Sequence, residues 1–206
     1  MSFKTDFKYL FDSTDYCILR DFDFKNPHYH NDLDMWVDIR QRHKVLRMIE
    51  SNVHFELKQN SFNFSVVAYQ NKLGDAVKID IFWKISFRGV KIVDDMKMRE
   101  SIVRIGDVNT LTPQTGNALG FVKEVLHTGL LRDEKYIYRE SFYAVGYELL
   151  QDRFFSHQWL VKSAENIHQN KPFSFLALYA RLMAYKDFWN YIGAKFCEKE
   201  NNLFWR

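Results

Sequence analysis

Asn31-Asp32-Leu33-Asp34-Met35-Trp36-Val37, answered later in the chain by Val77-Lys78-Ile79-Asp80-Ile81-Phe82, is the part of this sequence that decides the fold. Alternate side chains of a β-strand share a face. Leu33, Met35, Val37 and Ile39 therefore line one side of the first segment, with Asp32 and Asp34 on the other. In the second segment Val77, Ile79, Ile81, Trp83 and Ile85 form an apolar stripe, and Asp80 projects from the opposite face between Lys78 and Lys84. If the two strands are neighbours, three carboxylates converge. Such a cluster repels itself until a cation enters it, and hard oxygen donors suit Mg²⁺ or Mn²⁺. The reading is a metal site for phosphoryl or nucleotidyl transfer, set against the plainer one of a solvated polar strand face.

Working outward, residues 2 to 12 read as a short helix with Phe3, Phe7, Leu10 and Phe11 at helical spacing, and Tyr16 to Leu19 as a first strand. A polar, Pro-containing connection, Arg20 to Asn31, delivers the chain to the acidic strand. Asp38 stands at the end of that strand as a helix cap rather than a ligand. Ile39 to Glu50 is expected to be an amphipathic helix with Arg40, Arg42, Lys44 and Arg47 on its outer face. Phe55 to Leu57, Phe62 to Tyr69, Val77 to Ser86 and Val90 to Val93 read as strands, the middle two forming a hairpin through the Asn71 to Asp75 turn. Helical patterns follow: Gly120 to Leu131 after a Thr112-Pro113 cap, then Asp133 to Phe155, Gln158 to Gln169 and Pro172 to Lys199. The expected class is α+β, a mixed sheet with flanking helices over residues 1–108 and an all-helical part over residues 109–206.

Bulk composition fits this. Of 206 residues 47% are hydrophobic and 17% aromatic, with only 8 Gly and 3 Pro, enough apolar surface for a substantial core and few flexible linkers. A formal charge of +3, spread without a polybasic tract, gives no reason to expect a nucleic-acid partner. Cys17 and Cys197 lie in apolar contexts and lack zinc-type spacing, as buried free thiols of a reducing compartment do. No signal peptide and no membrane-spanning apolar run is read, which points to the cytoplasm. Neither a Gly-x-Ser-x-Gly elbow nor a P-loop is present.

Asp32-x-Asp34 on a strand, a basic helix after it and Asp80 within a later apolar strand together resemble the nucleotidyltransferase superfamily of the polymerase β type. Cys17-Ile18-Leu19-Arg20 followed by Asn31-Asp32-Leu33-Asp34, and the stretch from Leu111-Thr112-Pro113 to Lys135-Tyr136, are similar to a bacterial subgroup found in surface-polysaccharide gene neighbourhoods. The resemblance implies a nucleotidyltransferase-like sheet, Asp32 and Asp34 as the two metal-binding aspartates, and Asp80 as the third carboxylate, which helps activate the attacking hydroxyl. It further implies a nucleoside triphosphate donor and a small-molecule or glycan-precursor acceptor. Where the superfamily carries a phosphate-cradling Gly-Ser pair this chain has Arg20-Asp21, so phosphate contact passes to Arg20, Lys25 or backbone amides. That departure leaves room for an inactive nucleotide-binding member, or for an interaction protein of the toxin-antitoxin kind.

Other residues have two readings each. Lys78 and Lys84 either meet a phosphate or screen the carboxylates. Lys123 and His127 share a helix face and, with Arg132 and Lys135, either hold a polyanion or form a solvated surface. His28 and His30, in the loop before Asp32, read as recognition or solvent-facing residues rather than as ligands or a general acid. The late aromatic stripes are most simply helix packing.

Overall fold

A computed structural model describes residues 2–20, 22–27, 32–87, 90–127, 158–162, 182–187 and 189–190. It resolves the chain into two compact units, one of Met1–Ile85 with Val93–Gly116, the other of Ser86–Ile92 with Asn117–Arg206.

The first unit opens with α1 (Phe3–Phe11), whose N-terminus is capped by Ser2 accepting from the Thr5 amide. Phe3, Phe7, Leu10 and Phe11 are all buried, confirming the expected stripe. Then come β1 (Tyr16–Ile18) and β2 (Asp32–Val37). The helix expected from Ile39 starts as a single 3-10 turn, Ile39–Gln41, and becomes α2 at Arg42–Glu50, burying Val45, Leu46 and Ile49. The antiparallel strands β3 (Phe55–Asn60), β4 (Phe64–Gln70) and β5 (Ala76–Phe82) follow, β3 running three residues beyond its expected end through an irregularity between Leu57 and Gln59. Gly74, at φ +91°, supplies the left-handed residue of the turn before β5.

β5 stops at Phe82 rather than Ser86. The amides of Trp83 and Lys84 both turn to the carbonyl of Asn63, which takes the chain out of the ladder. Ser86–Phe87 and Val90–Lys91, β6 and β7, instead pair with each other in a small separate hairpin belonging to the second unit. No element was expected over residues 94 to 108, and 109 to 111 were expected in the all-helical part; the stretch holds α3 (Asp95–Glu100), β8 (Ile102–Ile105) and β9 (Val108–Leu111), so the sheet takes residues assigned to the helices. β8 and β9 form a two-residue hairpin through Gly106-Asp107, with Gly106 at φ +62° as the primed turns of such hairpins require.

Seven strands make one mixed sheet in the order β3-β4-β5-β2-β1-β9-β8. β2 runs parallel to β5 and β1 parallel to β9, while the other neighbours are antiparallel. One face carries Leu33, Met35, Val37, Val67, Tyr69, Ile79 and Ile81, clustered with the apolar residues of α1 and α2. This is the main core. Its aromatic part joins Phe3, Phe7, Phe11, Tyr16 and Tyr69 with Phe22 and Phe24, which the connection after β1 contributes; the rings of Phe3 and Phe24 stack at 5.6 Å. A polar network crosses the same layer: Asp6 Oδ2 accepts from Tyr69 Oη at 2.7 Å and lies 2.9 Å from His54 Nδ1, and Asn71 Nδ2 donates to Tyr69 Oη at 3.0 Å.

α4 (Pro113–His127) begins directly at the Thr112-Pro113 cap, earlier than the expected Gly120, and Thr112 Oγ1 accepts from the Thr115 amide. In the second unit, the helical residues 158–162 and 182–187 are joined by a hydrogen bond from Trp159 Nε1 to Asp187 Oδ2 at 3.0 Å. The expected helix 133–155, most of 158–169 and of 172–199, His28, His30, Asp21, Arg132, Lys135, the side chain of His127, Cys197 and the terminal aromatics lie outside the described residues; residues 182–187 and 189–190 of the expected 172–199 helix are helical. Among the described residues no helix is long and apolar enough to cross a membrane.

Candidate metal centre

β2 and β5 are hydrogen-bonded neighbours, in parallel, with Asp34 opposite Asp80 and Asp32 opposite Lys78. Residues opposite one another in a ladder share a face. All three aspartates therefore stand on the side of the sheet away from the α1/α2 core, and one oxygen of each lies within 4.8 Å of the others. At that separation each pair of charges repels by about 3 to 4 kcal/mol for an effective dielectric near 20. Asp34 and Asp80 are buried and Asp32 half-buried, so water screens the cluster only from one side.

Two cations answer it. β1 ends at Ile18, and a bend at Leu19 and Arg20, fixed by the Leu19 amide donating to Asp34 O at 2.9 Å, brings the Arg20 guanidinium across both β2 carboxylates. Its Nη2 lies 2.8 Å from Asp32 Oδ1 and its Nε 3.1 Å from Asp34 Oδ2, with a longer contact to the Asp32 carbonyl at 3.4 Å. Lys78 Nζ donates to Asp80 Oδ2 at 2.9 Å and stands 3.7 Å from Asp32 Oδ2. That hydrogen bond is the main reason its ammonium holds its proton more firmly than an ordinary lysine does. Asp80 Oδ1, by contrast, is buried and accepts no hydrogen bond from any described residue. A buried carboxylate oxygen without a donor, beside two more carboxylates, is a donor set suited to a hard divalent cation.

The remaining candidates fall elsewhere. Lys25 is exposed in the turn after Asp23, its amide bonded to Asp23 Oδ1. Lys84 leaves the Asp80 face, because β5 has ended, and its Nζ sits 4.7 Å over the ring of Phe62. Lys123 is exposed on α4, in the second unit. Asp38 is a cap, as expected: Oδ1 accepts from the Arg40 amide at 2.9 Å, opening the 3-10 turn. It is also fully buried and paired with Arg40 Nη2 at 2.9 Å and Arg99 Nη2 at 2.7 Å. Burial alone would raise its pKa, but the Arg40 and Arg99 hydrogen bonds outweigh that and hold it at about 2.

On the carboxylate face a trough lies to one side of the cluster. It has a volume of about 560 Å³ and runs over β3, β4 and the start of β5, lined among others by Glu56, Lys58, Ala68, Gln70, Ala76 and Lys78. Ala68 and Ala76 leave its floor low, and Lys78 belongs both to it and to the acidic cluster. Past the aspartates the ladder continues with Trp36 opposite Phe82, and Phe82 packs on Phe64 with ring centroids 5.0 Å apart.

No protein-family model matches this chain and no curated protein does. Among solved structures it is similar to an H. pylori protein described as a "putative nucleotidyltransferase", at 10% sequence identity and a TM-score of 0.35, over 88% of this chain and 90% of that one. Identity and score at this level decide neither fold nor activity. The class of protein is defined by the chain's own features: a mixed-sheet α+β protein with three acidic residues placed to bind a divalent cation.

Proposed function

We propose that this chain is a divalent-metal-dependent nucleotidyltransferase that moves a nucleotidyl group from a nucleoside triphosphate to a small-molecule or glycan-precursor acceptor. The observation that carries the proposal is the buried Asp34–Asp80 pair, completed by Asp32, with Asp80 Oδ1 lacking a hydrogen-bond donor among the described residues. Asp32, Asp34 and Asp80 would hold Mg²⁺ or Mn²⁺. Such a cation, when bound, neutralises charge on the transferring phosphate and its leaving group.

The chain's own residues supply the rest. The acceptor oxygen bonds to the α-phosphorus, the α–β phosphoanhydride bond breaks and pyrophosphate leaves. Asp80, the carboxylate whose neighbour Lys78 lines the trough, draws the acceptor's proton. Arg20 and Lys78, both bonded to the acidic cluster, are our candidates for contact with the donor's phosphate oxygens, with Lys25 as a further candidate. We assign this chemistry to the sheet-bearing part of the chain, expected to end at residue 108 but running on through β9 to Leu111, and treat the helical part expected over 109–206 as beginning after it. A cytoplasmic setting in surface-polysaccharide synthesis is part of the same proposal.

Arg20 also favours a second reading. With Arg20-Asp21 in place of a phosphate-cradling Gly-Ser pair, and its guanidinium on the two aspartates a metal would use, the chain would bind nucleotide without turnover. Calorimetric titration of each nucleoside triphosphate with Mg²⁺, into wild type and Asp32→Asn/Asp34→Asn, tests both readings, followed by a pyrophosphate-release assay with candidate acceptors. Metal-dependent binding lost in the double variant, with pyrophosphate release, supports the transferase. Binding without release supports the inactive reading, and binding indifferent to the substitutions sinks the metal site.

A further inference from the structure

We infer that Arg20 is a resident counter-ion that a divalent cation must displace from Asp32 and Asp34, and that once displaced it is a ligand for the polyphosphate of the donor. The inference rests on the reading of Asp32, Asp34 and Asp80 as a metal site.

The geometry is specific. Arg20 bridges two carboxylates through two different nitrogens, Nη2 to Asp32 Oδ1 and Nε to Asp34 Oδ2. A divalent ion bound between Asp32 and Asp34 needs oxygens from the same two groups, and two cations cannot share them without strong repulsion. The third carboxylate is in a different condition: Lys78 bonds Asp80 Oδ2 and leaves Oδ1 without a donor among the described residues. Arg20 thus holds both β2 carboxylates, whereas on β5 Asp80 keeps one buried oxygen, Oδ1, uncommitted among the described residues.

Arg20, like the more exposed Lys78, is able to move at little cost. Its side chain is 43% exposed against 9% for Asp34, and it lies two residues beyond the last residue of β1, on a bend outside the ladder. Ion pairs with one partner that exposed contribute little to stability. A guanidinium leaving the aspartates while a triphosphate arrives finds a planar, bidentate match in phosphate oxygens. Metal and polyphosphate binding are then coupled through one side chain that opposes the first and assists the second.

The test uses Mn²⁺ alone and tripolyphosphate as probes on the full chain, with circular dichroism to establish folding. Calorimetry and the electron paramagnetic resonance signal of free Mn²⁺ give metal affinity for wild type, Arg20→Gln and Arg20→Lys. We expect Mn²⁺ to bind about tenfold tighter to Arg20→Gln, with Arg20→Lys between, and tripolyphosphate at saturating Mg²⁺ to bind about tenfold more weakly to Arg20→Gln. Opposite signs are the signature, since a structural role would weaken both. Equal or weaker Mn²⁺ binding in Arg20→Gln overturns the inference while leaving the metal site standing, and unchanged tripolyphosphate affinity overturns its second half. Absence of Mn²⁺ binding in all three proteins removes the metal site and the inference with it.

Discussion

Asp34 and Asp80 sit directly opposite one another across the parallel β2/β5 ladder, both buried, so the two strands can pair only with like charges in apposition. Cross-strand like charges destabilise a sheet. Arg20 and Lys78 offset that cost within the chain, and a bound cation would offset it further.

Metal addition is therefore expected to stabilise the protein. At 100 times its dissociation constant, Mn²⁺ should add about 3 kcal/mol to the unfolding free energy. Chelation by EDTA should reverse this, and Asp34→Asn should abolish it, with a more than about 100-fold loss of Mn²⁺ affinity. Without metal the variant should unfold within about 1 kcal/mol of wild type, because it removes a repulsive charge as well as an ion pair. Urea titrations with and without Mn²⁺ measure all three quantities.

Asp38 should govern an acid limb of stability. Its carboxyl is held at about 2 by Arg40 and Arg99, below the ordinary value of 3.8. The folded state therefore binds the proton less readily than the unfolded chain. Its contribution is full above pH 4 and is lost as pH falls through about 2. From the shift, that contribution is about 2 kcal/mol. Denaturation curves from pH 6 to pH 2 should show a shallower loss in Asp38→Asn than in wild type, and the variant should be less stable at pH 7.

Tyr69→Phe should cost about 1 to 3 kcal/mol, because the lost hydroxyl leaves Asn71 Nδ2 without one acceptor and Asp6 Oδ2 without one donor in a buried layer. Thermal unfolding should register the loss, while Mn²⁺ affinity stays at the wild-type value because the network lies on the opposite face of the sheet from Asp80.

Gly106 tests the β8–β9 hairpin. Nothing lies within 4 Å of a Cβ built there, so a substitution meets only the backbone cost of φ +62°. Gly106→Val should destabilise by about 1 to 2 kcal/mol and Gly106→Asn by less, since asparagine tolerates the left-handed region. Equilibrium unfolding of the two variants against wild type gives the order.

That hairpin shows why part of the fold escaped sequence reading. Ile105-Gly106-Asp107-Val108 is a two-residue turn signal between β-branched runs, but the flanking strands are four residues each, too short for alternation to stand out. The Asp32 to Val37 and Val77 to Phe82 strands were legible because a buried face imposes alternation, Leu33, Met35 and Val37 against Asp32 and Asp34 in the one and Val77, Ile79 and Ile81 against Lys78 and Asp80 in the other, which Trp36 and Phe82 interrupt only near the strand ends. The ends of elements were less so: β5 stops at Phe82 because Asn63 O captures the next two amides, a contact nothing near Phe82 announces. Asp38 could be recognised as a cap from its position, but not as the anchor of α3, since Arg99 lies 61 residues away.

By itself, then, the sequence determined which face of each strand is apolar and which aspartates point away from the core, because side-chain alternation is a local property of an extended backbone. Tertiary structure alone decided that β2 and β5 are neighbours, that they run parallel with Asp34 against Asp80, and that Arg20 rather than Lys84 reaches the carboxylates. Those outcomes depend on strand order, register and the bend after β1, which are set by the packing of distant segments over a shared core and leave no periodic trace along the chain.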